Sequence, residues 1–458
     1  MGKIPHNVHF IGIGGVGMSG LAALLLLRGH RVTGSDLKPS ALTERLQAQG
    51  ATVYKGHKAE NVGAAELVVV SSAIGPENPE LLAARERGIP VMRRGELLSA
   101  VLRGYRGIAV AGAHGKTTTT AMVGAVLMAG GLDPTILVGG NWPAIGGNFR
   151  MGGGPCFVTE ADESDASFLL LSPEVAAVTN IENDHLDYYG SVENLIRAFR
   201  DFLGRVAPGG IAVVCWDDPN LRVLAREAPK PVVSYGVGEG ADWRVAEVSL
   251  RGPVSEATLY FRGERIGRLR LNIPGMHNLL NAAGAVAVGH HLGVPFAVAA
   301  GALEGFRGVG RRFELLGKAR GVTVIDDYAH HPTEIAATIR MARQLAPKRV
   351  VAVFQPHRYT RTALLYPEFG RAFSEADVVV VGEIYNAGEK PIPGVSADLI
   401  REAISRHDRR EVLRLPNTDG AAYVKELVQP GDIVLTLGAG DIYKVGQALV
   451  ALLEADNG

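Results

Sequence analysis

The chain reads as an α/β protein built from three consecutive α/β blocks, and three observations predict it. Short β-type runs alternate with helix-like stretches along nearly the whole sequence, a rhythm that implies parallel strands joined by right-handed crossovers. The length, 458 residues, exceeds what one hydrophobic core serves and suits two to four domains. The 58 glycines suit many tight strand-to-helix turns.

In the first block, candidate strands are Val8–Ile13, Arg31–Ser35, Thr52–Tyr54, Leu67–Ser71 and Pro90–Met92. Gly17 to Arg28 has helical composition, and Gly29 is placed to stop it. Between the first strand and that helix lies Gly12-Ile13-Gly14-Gly15-Val16-Gly17. Its glycines permit the turn, and Gly14, Gly15, Val16 and Gly17 can offer backbone N–H groups to a diphosphate at the helix N-terminus. Asp36 closes the next strand, where a ribose-binding acid sits in dinucleotide enzymes. NAD and a UDP-sugar both fit this pattern, and a close-packed βα turn alone also produces it.

The second block opens with strand Ile108–Ala111 and helix Lys116–Met128. Between them runs Gly112-Ala113-His114-Gly115-Lys116-Thr117-Thr118, the carboxyl half of a P-loop, with Val110 where the first glycine of the full pattern belongs. Successive N–H groups form an anion nest, Lys116 can neutralise β/γ-phosphate charge, and the Thr117 hydroxyl suits Mg²⁺. Further strands are expected at Cys156–Thr159, Val175–Thr179 and Ile211–Cys215, and three alternating stretches, 244–250, 257–261 and 268–273, suggest an appended antiparallel patch. Strand Cys156–Thr159 runs into Glu160-Ala161-Asp162-Glu163-Ser164-Asp165. Four carboxylates so close repel one another unless solvated or paired with cations, and Mg²⁺ on ATP would give Glu160 a purpose. His185, in the acidic stretch after the next strand, suits a second metal or a phosphate, although a surface ion pair explains it equally. A helix from Asn278 to Leu292 puts Asn278 and Asn281 on one face, where both amides can read an adenine edge; Asn278 also reads as a plain N-cap.

Gly305–Gly310 is rich enough in glycine to be a hinge, and Arg311 and Arg312 sit beside it. In the third block, strands are expected at Val322–Asp326, Val350–Phe354, Val378–Val381 and Ile433–Leu437. Asp326-Asp327-Tyr328-Ala329-His330-His331-Pro332 follows the first, and Gln355-Pro356-His357-Arg358-Tyr359-Thr360-Arg361 the second. Adjacent histidines point to opposite faces of an extended chain and no cysteine completes a zinc site. Arg358 and Arg361 instead suit a small carboxylate substrate.

Composition excludes whole classes. Lys+Arg and Asp+Glu are equal at 47 each, so no global field recruits nucleic acid or an anionic membrane. Cys156 and Cys215 lack any CxxC spacing, which argues against a disulfide framework. The opening MGKIPHNVHF holds no signal-peptide core, and the apolar run Leu21–Leu27 is far short of a membrane span. A cytoplasmic location is expected, as monomer or homodimer.

Nine segments, taken in order, resemble the Mur ligase family from end to end: IGIGGVGMSG (11–20), AGAHGKTTT (111–119), TEADESD (159–165), TNIENDHLDYYG (179–190), GMHNLLN (275–281), GRRFE (310–314), DDYAHHPTE (326–334), QPHRYTR (355–361) and IYNAGEKPIPG (384–394). The resemblance implies three domains: a Rossmann-like UDP-binding domain (1–106), a central P-loop ATPase domain with a mixed sheet (107–309), and a C-terminal Rossmann-like, amino-acid-binding domain (310–458). It implies ATP and Mg²⁺ as cofactors. Lys116, Glu160, His185, Arg312 and Asp327 would carry the chemistry. Gly112 to Thr118, Asn278, Asn281 and Arg312 would hold ATP; Thr117, Glu160 and His185 the metals; Gly14 to Gly17 and Asp36 the UDP end of the substrate. Tyr328, His357, Arg358 and Arg361 would shape the amino-acid pocket. Several family members bridge metals with a carbamylated lysine, but this chain has no lysine between Lys116 and Lys230.

Within the family, the glycine loop, DDYAHHPTE and QPHRYTR look most like the branch that adds L-alanine to UDP-N-acetylmuramate. The implied reaction phosphorylates the lactyl carboxylate with ATP, and the alanine amine then attacks the acyl phosphate. A recycling ligase that attaches a preformed tripeptide shares substrate and chemistry. A nicotinamide oxidoreductase would account for the first loop and Asp36, but it leaves the Lys116 loop unexplained.

Overall fold

The computed structural model describes residues 4–455, which form two compact units. The first holds the chain through Ala246 together with Thr258–Leu269 and Leu280–Glu304. The second holds Glu247–Ala257, Arg270–Leu279 and the chain from Gly305 onward.

The first unit begins with β1 (Asn7–Ile11), β2 (Arg31–Asp36), β3 (Thr52–Lys55), β4 (Leu67–Val70) and β5 (Val91–Arg93), ordered β3-β2-β1-β4-β5 with every pair parallel. The order reverses at β1, so a crevice opens beyond its carboxyl end, where Gly12 follows. Helix Val16–Leu27 is buried on all sides from Met18 to Leu25 and stops before Gly29, whose φ of +83° favours a residue without Cβ.

Strands β6 (Arg106–Ala111), β7 (Thr135–Trp142), β8 (Gly147–Arg150), β9 (Cys156–Glu160), β10 (Val175–Val178), β11 (Ile211–Cys215), β12 (Val232–Gly236), β13 (Trp243–Arg251), β14 (Val254–Phe261) and β15 (Glu264–Leu271) form a ten-stranded sheet. Its order is β15-β14-β13-β12-β11-β10-β6-β9-β7-β8. Central β6 is fully buried from Ile108 to Ala111, which is why it reads as an unbroken apolar run. Two-residue links join β13 to β14 and β14 to β15, a length that permits only antiparallel hairpins. Register fixes what surrounds the loop after β6: Val110 pairs with Glu160 on one side, and Ala111 with Val178 on the other.

The second unit is built on β16 (Glu314–Ala319), β17 (Val322–Asp327), β18 (Arg349–Phe354), β19 (Val378–Val381), β20 (Leu413–Arg414) and β21 (Asp432–Leu437), ordered β16-β17-β21-β18-β19-β20. Only β16 runs antiparallel to its neighbour; the other pairs are parallel. Alternation along β18 fills two apolar layers, Val350, Ala352 and Phe354 on one face and Val351 and Val353 on the other. No helix among the described residues is long and apolar enough to cross a membrane.

Candidate active site

The loop after β6 is a cradle made by two glycines with positive φ, Gly112 at +128° and Gly115 at +83°. Neither tolerates a side chain. A Cβ on Gly112 would lie 2.2 Å from Thr179 Oγ1, and one on Gly115 would lie 2.8 Å from Asn281 Oδ1. The segment after β10 clamps the loop from below. The His114 N–H donates to Asn180 Oδ1 at 2.9 Å, the Ala113 N–H to the Asn180 carbonyl at 3.2 Å, and Thr179 Oγ1 donates to the His114 carbonyl at 2.5 Å. Helix Lys116–Ala129 then starts directly from the loop, with Thr117 and Thr118 buried in its first turn.

Lys116 folds back over this loop. Its ammonium donates to the Gly112 carbonyl at 2.6 Å, the Ala113 carbonyl at 3.3 Å and Glu163 Oε1 at 2.6 Å. Burial works against the lysine charge, but facing Glu163, with Asp162 and Glu160 near it, outweighs burial and holds the pKa above the usual lysine value. Glu163 is 1% exposed, and burial pushes its carboxyl up to about 7 against the pull of Lys116. His185 Nε2 lies 3.8 Å from Glu163 Oε1 and 3.5 Å from Asp184 Oδ2.

The four carboxylates at and just after the end of β9 thus divide their work. Glu160 accepts the Gly139 N–H, Asp162 pairs with Arg94 at 2.9 Å, Glu163 turns inward to Lys116, and Asp165 accepts the Ser167 N–H. Composition revealed the crowding but not which member turns inward, so Glu163 was missed as a partner of Lys116. Thr179 and Asn180 were missed as well; their signal is only two polar residues at the end of an apolar strand.

Donors and charge at this place fit a metal-bound triphosphate. Thr117 follows the loop in the first turn of its helix, Glu160 ends the neighbouring strand near enough to Lys116 to act on its charge, and Glu163 Oε2 is a buried carboxylate oxygen without a hydrogen-bond partner. Asn281, on the same unit, approaches the loop at Gly115.

Around the first loop, the Gly12 and Ile13 N–H groups donate to the Ser35 carbonyl, and the Gly14 N–H donates to Asp36 Oδ2 at 2.9 Å. Asp36 therefore braces the loop in this structure. Arg94, unremarked in the sequence, lies against Gly17 while its guanidinium holds Asp162, tying the first loop to the acidic segment after β9. Beneath them Glu80, fully buried, accepts from Ser35 and Asn61, and these bonds with His9 outweigh burial and hold its carboxyl at about 2.

In the second unit, Asp327 is 6% exposed and accepts the Phe313 and Ala329 N–H groups, each at 2.8 Å. Burial pushes it up to about 7, with Arg312 pulling the other way. Arg311 is sandwiched between Tyr328 and Tyr443, 5.0 and 4.7 Å from their ring centres, and pairs with Asp326; Arg312 lies over Tyr328 at 5.1 Å. His357 stacks on Tyr385 at 5.7 Å, and burial with Arg361 and Arg358 pushes it down to about 4. Arg361 and Arg358 thus share one neighbourhood, with Glu389 3.9 Å from Arg358. Asn278, also in this unit, donates to the Pro274 carbonyl at 2.7 Å.

Comparison with known proteins agrees along nearly the whole chain. Three family models match: the Mur ligase family catalytic domain over residues 7–106, the Mur ligase middle domain over 110–289, and the Mur ligase glutamate ligase domain over 311–440. The chain is 54% identical over 450 residues to a UDP-N-acetylmuramate–L-alanine ligase of Pelotomaculum thermopropionicum, covering 98% of each chain. Among solved structures, a UDP-N-acetylmuramate–alanine ligase of Thermotoga maritima superposes with a TM-score of 0.84 at 30% identity, covering 98% of this chain and 99% of that one. A murein peptide ligase of Psychrobacter arcticus gives 0.75 at 26% identity, with the same coverage.

Proposed function

Because the chain belongs to the Mur ligase family, we propose that it joins L-alanine to the lactyl carboxylate of UDP-N-acetylmuramate at the expense of ATP. The observation that carries this reading is the Lys116 loop, set between the strand end that bears Glu160 and the one that leads into Thr179-Asn180, in a chain that matches an alanine-adding ligase over 98% of its length. The functional domains are proposed as 1–106 for the UDP end, 107–309 for ATP and 310–458 for the amino acid.

A carboxylate resists nucleophiles because of its charge and its poor leaving group. Transfer of the γ-phosphoryl group to the lactyl oxygen gives an acyl phosphate, which the neutral amine of alanine attacks with loss of phosphate. Lys116, with those loop N–H groups that are not committed to Asn180, faces the phosphate charge that grows during transfer. Thr117 and Glu160, with His185 for a second ion, would hold Mg²⁺, which when bound supplies positive charge to the phosphates. Asn281 and Asn278 are assigned to adenine, Arg312 and Asp327 to the nucleotide, and Gly14 to Gly17 with Asp36 to the UDP end. Tyr328, Arg358 and Arg361 are assigned to the alanine carboxylate side; His357, neutral at working pH, keeps the pocket free of a third cation.

Substrate labelled with ¹⁸O in the lactyl carboxylate tests the route. Label should appear in released phosphate. Unlabelled phosphate would reject the acyl phosphate.

A further inference from the structure

We propose that Glu163 is a placeholder for the nucleotide: it occupies Lys116 in the nucleotide-free protein and is displaced from the ammonium by the ATP phosphates. The inference rests on reading the Lys116 loop as the ATP site.

An ammonium has three hydrogens, and here all three are engaged, by the Gly112 carbonyl, the Ala113 carbonyl and Glu163 Oε1. A phosphate oxygen that reaches Lys116 must replace one of them. The two carbonyls belong to the loop whose curvature is fixed by Gly112, Gly115 and the Thr179–Asn180 clamp. Glu163 alone is both a side chain and an anion, so it yields most readily and is repelled most by an arriving triphosphate.

The surroundings are arranged for an exchange. Tyr189 donates its hydroxyl hydrogen to the Glu163 carbonyl at 2.6 Å, so the backbone is pinned while the carboxylate can swing. Oε2 carries no hydrogen bond, and His185 Nε2 stands 3.8 Å from Oε1 as the next partner. Without Glu163 the buried ammonium would bond only the two loop carbonyls. Asp162 and Glu160 remain near enough to keep Lys116 charged once Glu163 has turned away.

A placeholder competes with its ligand, whereas a merely structural residue does not. Calorimetric titration with ATP in the presence of a chelator, on the full-length chain, separates the two. Glu163→Gln should bind ATP about tenfold more tightly than the unaltered protein, the worth of roughly one charge-assisted bond no longer contested. Lys116→Met should bind it at least tenfold more weakly. Equal or weaker binding by Glu163→Gln, with Lys116→Met still impaired, overturns the placeholder and leaves the ATP site standing. Undiminished binding by Lys116→Met overturns both. Crystals of the unaltered protein with and without a non-hydrolysable ATP analogue give a second reading that does not depend on a variant folding. The 2.6 Å contact between Lys116 Nζ and Glu163 Oε1 should open beyond about 4 Å in the complex, and an unbroken contact refutes the exchange.

Discussion

Replacing Gly112 with alanine probes the cradle at its tightest point. The new Cβ would sit 2.2 Å from Thr179 Oγ1 and 3.0 Å from both the N and O of Asn180. The first overlap exceeds an ångström, so Thr179 must rotate and give up its bond to the His114 carbonyl, worth about 1 kcal/mol. The Asn180 contacts are to backbone, which yields only by shifting the clamp itself; such overpacking costs about 1–3 kcal/mol. A φ of +128° adds roughly 1–2 kcal/mol for any residue with a Cβ. The expected loss is therefore about 3–6 kcal/mol, read by urea unfolding of the purified variant, with ATP binding impaired in whatever fraction stays folded. Adding Thr179→Ala removes the closest contact but not the backbone strain. The double variant should therefore recover about 1–2 kcal/mol relative to the sum of the single changes. An unchanged unfolding midpoint in Gly112→Ala, or strict additivity with Thr179→Ala, would refute the claim that the loop is seated on this clamp.

Other outcomes follow from the same geometry. Lys116→Met should lower kcat by a factor on the order of 10² to 10³ while far-ultraviolet circular dichroism stays unchanged, measured by phosphate release. Asp327, raised by burial, binds its proton more tightly in the fold than in the unfolded chain, so its stabilising share is present at low pH and lost as pH rises toward and through about 7. Asp327→Asn should accordingly gain on the unaltered protein between pH 5 and pH 8, by roughly 2–3 kcal/mol in urea unfolding; a constant difference across that range would contradict the burial argument. His357 is shifted the other way: the unfolded chain takes up a proton near pH 6.5 that the fold refuses until about pH 4, so stability falls as pH drops through that window. Proton NMR of the His357 ring should show it neutral at pH 5.5, and titration near 6.5 would count against its recorded surroundings. Arg311→Lys loses the fork to Asp326 and the Gly438 carbonyl, and should cost about 1–3 kcal/mol of stability.

Most of the architecture was legible because its strands are buried on both faces. Ile211–Cys215 and Val378–Val381 appear with the bounds the apolar runs suggest, and the helices starting at Val16 and Lys116 begin within a residue of their expected sites. Strands β7, β8, β12, β16 and β20 were not expected. β7 carries Gly139-Gly140-Asn141 and β16 carries Gly317, which break the apolar pattern, while β20 is only two residues long. The loops carrying Gly14 and Lys116 were readable from glycine spacing, since a positive φ or a close approach leaves few alternatives to glycine. Partner choice among charged residues was not. Nothing in the string EADESD says that Asp162 turns to Arg94 and Glu163 to Lys116, because pairing depends on which way each side chain leaves the strand end and on neighbours 68 and 47 residues away.

ATP should be spent only when a UDP-linked carboxylate and one particular amine are both present. Phosphate release measured with ATP, Mg²⁺ and UDP-N-acetylmuramate, adding in turn L-alanine, other amino acids and the L-Ala-γ-D-Glu-diaminopimelate tripeptide, tests it most directly. Release should be rapid with L-alanine, one phosphate for each amide formed, and slight with the tripeptide. Faster turnover with the tripeptide, or release that ignores the amine altogether, would contradict it.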